Sequence, residues 1–128
     1  MRRLVAGLGL VTALLTACPR LTGGDDALLI GRLFGDPVAG CVWIGGPMHG
    51  VEVDWPSFYD IDVERIRVSG PGGFVAQEGD WFRMGGGIRP DISVTPGCAA
   101  TEGQDGMWDP HGIDFFGDER PPAEFGGA

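Results

Sequence analysis

Side chains able to do chemistry are few in this 128-residue chain, and their spacing keeps them apart. Serine occurs at Ser57, Ser69 and Ser93 only, and none lies in a Gly-x-Ser-x-Gly elbow that would expose a nucleophile. His49 sits in a glycine-rich loop and His111 lies far along the chain, without the short Cys/His spacing of a zinc site. Gly85-Gly86-Gly87 is not followed by Gly-Lys-Ser/Thr, so it is no phosphate loop; it marks backbone that needs unusual dihedrals. Asp60 and Asp62 would project from one strand face with Asp54 and Glu64 close by, a weak candidate set for a hard cation such as calcium. The Asp-x-Asp-x-Asp-Gly order of a calcium loop is missing, which favours a solvated acidic face. These patterns point away from a conventional enzyme and imply no catalytic residue, no metal centre and no cofactor. The aromatic residues of Trp55-Pro56-Ser57-Phe58-Tyr59 break strand periodicity. Trp55, Phe58 and Tyr59 are therefore candidates for a lip that faces a ligand or partner, the alternative being a loop folded over the open end of the domain.

The three cysteines carry more information. Arg2 and Arg3 precede an apolar run from Leu4 to Leu15 that is shorter than the roughly 20 residues of a spanning helix. Charge, length and small-residue ending are those of a secretory signal over residues 1–17. Its close, Leu15-Thr16-Ala17-Cys18, resembles the bacterial lipobox, in which cleavage precedes a cysteine that then receives lipid. Acyl chains at about 0.8 kcal/mol per buried methylene would hold Cys18 on the bilayer. The resemblance implies an exported lipoprotein on the extracytoplasmic side of a cell membrane or envelope. With Cys18 lipidated, Cys41 and Cys98 remain as an even pair in an oxidising compartment. A bridge between them closes a loop of about 57 residues, worth about 4 kcal/mol by loop-closure entropy. A redox pair would call for Cys-x-x-Cys spacing, which is absent.

Charge narrows the partners. The chain has 18 Asp and Glu against nine basic residues, all arginine, for a formal −9. Removing residues 1–17 takes Arg2 and Arg3 and no acid, leaving seven arginines against the 18 acids, a formal −11. Nucleic acid is excluded as a partner, because its binding draws on neutralised phosphates. An envelope protein or a small ligand remains, along with the membrane itself through the lipid. A strongly acidic domain will stand off from anionic lipid rather than lie on it.

The elements that must position these residues read as short strands. Residues 18–27 are a polar tether with a Gly pair and an Asp pair, and residues 28–98 form the domain. Leu28–Phe34 is a first strand with Gly31 a bulge or a point of close approach, and Cys41–Ile44 is a second. Val51–Trp55 alternates, with Val51, Val53 and Trp55 on one face and Glu52 and Asp54 on the other. Across Ile61–Ser69 the apolar phase shifts near Glu64-Arg65, as a bulged, bent strand would require. Phe74–Gln77 and Trp81–Met84 read as hairpin partners across Glu78-Gly79-Asp80, and Ile92–Val94 as a short last strand. Six or seven strands without an amphipathic helix predict an all-β fold, a small barrel or sandwich. The stretch 99–128 is acidic and Gly/Pro-rich, with Trp108, Phe115, Phe116 and Phe125 scattered through it, and reads as a mostly disordered tail.

Gly40-Cys-Val-Trp-Ile, Trp55-Pro, Phe74-Val-Ala-Gln-Glu-Gly-Asp-Trp, Met84-Gly-Gly-Gly and Cys98 together resemble a class of uncharacterised small bacterial lipoprotein domains. That resemblance covers about 60 residues and implies a small OB-like or SH3-like barrel of 5–7 strands with a disulfide. It implies no activity. The expectation is a lipid-anchored binding or envelope-interaction module, with divalent-cation or small-ligand binding on the Asp60/Asp62 face as the alternative.

Overall fold

The computed structural model describes residues 27–123; the signal, Cys18 and nearly all of the tether lie outside the described residues, as do residues 124–128. Eight strands follow one another: β1 (Ala27–Asp36), β2 (Cys41–Gly45), β3 (Gly50–Val51), β4 (Asp60–Asp62), β5 (Arg67–Ser69), β6 (Val75–Ala76), β7 (Trp81–Arg89) and β8 (Met107–Gly117). They form two antiparallel sheets, one of five strands in the order β3-β2-β1-β7-β8 and one of three in the order β4-β5-β6. The fold is all-β, as the short alternating runs predict. It is not closed into a barrel. The two rims of the large sheet touch at a single parallel bridge, where Trp108 N–H donates to the Glu52 carbonyl and Asp54 N–H to the Trp108 carbonyl.

Local chemistry explains the first hairpin. Asp36 accepts hydrogen bonds from the Val38 and Ala39 amides through its carboxylate, and Gly40 N–H returns to the Asp36 carbonyl, so the chain reverses within four residues. β2 then pairs with β1 from Asp36↔Cys41 to Arg32↔Gly45. Gly31 is the close approach that its place in the strand suggested: a Cβ there would stand 2.6 Å from Gly45 N and 2.7 Å from Gly45 Cα. Gly86 has φ 144°, and a Cβ there would overlap the Asp109 carbonyl, so the triple glycine serves the backbone contact between β7 and β8.

Four expectations are corrected. The shifted phase of 61–69 is a hairpin and not one bulged strand: β4 and β5 pair from Asp60↔Ser69 to Asp62↔Arg67. The turn between them is fixed by Asp62, which accepts from the Arg65 amide and guanidinium, and Ile66 leaves it at φ 54°. Glu78-Gly79 is a turn, yet the strands it joins do not pair. β6 pairs with β5, whereas β7 is filled on one side by β1 and on the other by β8. The turn docks on β1 instead, with Gly79 N–H donating to the Leu33 carbonyl and Leu33 N–H to the Asp80 carbonyl. Ile92–Val94 forms no strand; it belongs to the connection from β7 to β8. Finally, the stretch read as a disordered tail contains β8, the longest strand, so the domain extends past Cys98.

The core draws on both sheets. Leu33, Ile44, Phe82 and Met84 from the large sheet meet Val68 and Ala76 from the small one, with Trp108 buried among them. Period-2 alternation decides this in β7 and β8: Phe82 and Met84 face inward opposite Phe115 and Ile113, while Arg83 faces outward opposite Asp114. A second, smaller cluster lies around the disulfide between Cys41 and Cys98. Cys41, Trp43 and Cys98 are buried there with Phe34, Ala39 and Ala100 packed against them, so the bridge pins the segment before the Ala99–Thr101 turn onto β2.

Candidate functional site

The loop after β3 sends its aromatics in two directions. Trp55 and Tyr59 turn inward and join a continuous ring cluster, while Phe58 is 70% exposed. In that cluster Trp55 lies 5.6 Å from Tyr59 and 5.5 Å from Phe82 between ring centroids. Tyr59 meets Phe74 edge-on at 6.1 Å, and Phe74 stacks on Phe115 at 4.7 Å with planes 13° apart. Apart from the Trp55–Tyr59 pair within the loop, these contacts join elements far apart in sequence: the 55–59 loop, the segment before β6, β7 and β8. Of the expected lip, Trp55 and Tyr59 are thus built into the packing, and Phe58 alone stands out from it.

Where the cluster reaches the surface it borders an open groove of about 610 Å3. Tyr59, Phe74 and the Pro71-Gly72 turn line it together with Arg83 and Ile113–Phe116 of β8. Its charged residues are Arg83 and Asp114, which are cross-strand partners bonded at 3.3 Å. The Arg83 side chain is only 12% exposed, whereas that of Asp114 is 58% exposed. The guanidinium also donates to the Pro122 carbonyl at 3.3 Å and stands 5.1 Å from the Phe116 ring centroid. Burial pushes the Tyr59 phenol above its ordinary pKa, and the charge of Asp114 adds to the rise. The carboxylate's charge therefore acts on the phenol within the same groove. An aromatic groove with one exposed carboxylate is equipped to bind.

A second polar constellation surrounds Glu52. Glu52, expected on the solvent face of an alternating strand, is only 6% exposed. Its carboxylate accepts from the Thr95 amide at 2.8 Å and the Thr95 hydroxyl at 2.5 Å. The Glu52 amide donates to Gln104 Oε1, and Gln104 Nε2 donates to the carbonyls of Glu52 and Gly106. This clasp, with the disulfide, holds the 94–104 connection to the sheet and borders an open cavity of about 350 Å3 over Val94–Gly103. Its polar groups are satisfied by one another, which marks a structural device.

The other sequence candidates do not converge. Asp62 is committed to Arg65, whose guanidinium lies 2.9 Å away, and Asp60 is exposed on the same short strand. Among the described residues no group of three or more His, Cys, Asp or Glu side chains is placed to hold a metal ion. His111 stands 3.3 Å from Asp109, and His49 is exposed in the β2–β3 loop. Cys41 and Cys98 are joined as the cysteine count predicts. Cys18 lies outside the described residues. Sequence reading missed Phe74, Arg83, Asp114 and Phe115 as groove residues. The alternation of Ile113, Asp114 and Phe115 could have marked β8, had its glycine- and proline-rich flanks not outweighed it. Set against protein-family models, curated proteins and solved structures, the chain matches none of them.

Proposed function

We propose that this protein is an exported, lipid-anchored binding module whose recognition surface is the groove between Tyr59 and Asp114. The observation that carries the reading is the groove itself, where aromatic side chains from both sheets and one exposed carboxylate meet at the surface. Binding sites use a few placed polar groups to fix a ligand's orientation, and Asp114 is such a group here. Phe58, exposed beside Tyr59 at 5.3 Å between ring centroids, extends the apolar rim. The anchor is supported by Leu15-Thr16-Ala17-Cys18 and by the position of Ala27, which opens β1 after a tether of only eight intervening residues. The Cys41–Cys98 bridge suits an oxidising compartment.

Two measurements test this. Cys18→Ala should shift the full chain from the detergent phase to the aqueous phase in a membrane partition experiment; unchanged partition refutes the anchor. The combined Phe58→Ala, Asp114→Asn variant should lose retention on immobilised envelope fractions while keeping its circular dichroism. Unchanged retention refutes the groove.

A further inference from the structure

We propose that the groove binds a small organic cation, an ammonium or quaternary-ammonium group held by aromatic side chains and the Asp114 carboxylate. This rests on the groove being the recognition surface. Three observations select the ligand class. First, the charge offered outward is negative. Arg83 is mostly covered and spent on Asp114, the Pro122 carbonyl and the Phe116 ring, while Asp114 remains largely exposed. Asp114 is the one acid among the residues lining the groove, and the chain's formal −9 adds a long-range preference for cations over anions.

Second, a hard divalent ion is poorly served here. Calcium takes six to eight oxygen ligands, and no convergent set of acids exists among the described residues. A soft cation needs fewer oxygens, because a cation–π contact contributes attraction of about 0.5–1 kcal/mol at an exposed site and about 2 kcal/mol when desolvated. The rings of Tyr59, Phe74 and Phe116 border the groove together with Asp114. The protein already uses this chemistry on the same surface, in the Arg83–Phe116 pair at 5.1 Å.

Third, strand addition to the exposed edge of β8 is discouraged. Pro110 removes a donor, and the β7–β8 ladder shifts register between Trp81 and Phe82 and between Gly85 and Gly86. Proline and bulges are how sheet edges avoid pairing. Recognition here runs through side chains, which suits a compact cation.

The test uses the full chain in maltoside micelles, titrated with choline, phosphocholine and the neutral isostere 3,3-dimethylbutanol. Intrinsic tryptophan fluorescence, to which Trp55 contributes with its ring 5.6 Å from Tyr59, reports binding. Saturable binding of choline is expected, with the isostere weaker by about tenfold, the cationic contribution. Asp114→Asn should weaken choline by about the same factor while leaving the isostere unchanged. Phosphocholine binding as tightly as choline assigns the source to a phosphorylated headgroup; weaker phosphocholine assigns it to the free cation. Equal affinity for choline and isostere in the wild type overturns the proposal, as does no saturation at the highest soluble concentration. If cations fail yet Phe58→Ala, Asp114→Asn still loses envelope retention, the recognition surface stands and only the ligand class falls.

Discussion

Cutting the Cys41–Cys98 bridge separates what the cross-link does to the unfolded chain from what packing does in the folded one. The two cysteines are 57 residues apart, and both are buried against Trp43. A loop of that length loses about 4 kcal/mol of closure entropy in the unfolded state. The folded state has other means of holding the segment: Thr95 is bonded twice to Glu52, and Gln104 three times to the backbone around Glu52 and Gly106. Reduction should therefore leave the native sheets in place and act on the reference state. The loss is a large share of the stability of a small domain, which is about 5–15 kcal/mol. At roughly 4–8 °C per kcal/mol, the melting temperature should fall by about 16–32 °C. Urea unfolding of the oxidised and reduced wild type, followed by tryptophan fluorescence, isolates the cross-link because both forms keep the sulfur volume. The oxidised form should also show the smaller slope, since its unfolded chain stays more compact. A difference below about 1 kcal/mol refutes the entropic argument, and a Cys41 thiol that labels in the unreduced folded protein refutes the bridge itself.

Other perturbations follow from the packing. Phe82→Ala removes a fully buried ring that touches Trp55, Phe74 and Phe115, and should cost about 3–5 kcal/mol by chemical denaturation with loss of the aromatic near-ultraviolet signal. Gly31→Ala drives a Cβ into the Gly45 backbone and should destabilise by about 1–3 kcal/mol, whereas Gly72→Ala, with open space around it and φ 83°, should cost only the backbone strain of about 1 kcal/mol. The Arg65 guanidinium, and next its amide, hold the Asp62 carboxyl below the ordinary aspartate range. Because the folded-state value is depressed, the stability linked to Asp62 is present above the ordinary aspartate pKa and is lost as pH falls through the lowered one. Carboxyl chemical shifts should show that low midpoint in the wild type and its rise in Arg65→Ala; identical titrations refute the contact.

How far the candidate site could be read from the chain depends on what each residue needed to be recognised. Trp55, Phe58 and Tyr59 stood out because they interrupt a period-2 pattern, which is a local property. Their fates differ because Trp55 and Tyr59 find Phe82 and Phe74 inside the fold, partners up to 27 residues away in the Trp55–Phe82 pair. Arg83 and Asp114 carried no local sign of belonging together. They meet because β7 and β8 pair in a register set by Phe82↔Phe115 and Met84↔Ile113, whose burial fixes which faces look outward.

By itself the sequence determined the all-β class, β1 and β2, a special role for the glycine at 31 and the pairing of Cys41 with Cys98. Alternation, a missing Cβ and an even count of cysteines are properties that a stretch of chain carries alone. Tertiary structure alone decided that β7 pairs with β1 and β8 and not with β6, and that the rims of the large sheet meet at Val53 and Trp108 without closing. It also decided that an acidic, glycine-rich stretch holds the longest strand. Strand partners are chosen by competition among distant segments for the same hydrogen-bonding edge. β8 wins β7's free edge because nine paired residues, the buried ring of Trp108 and the half-buried ring of Phe115 outweigh the convenience of a nearby turn.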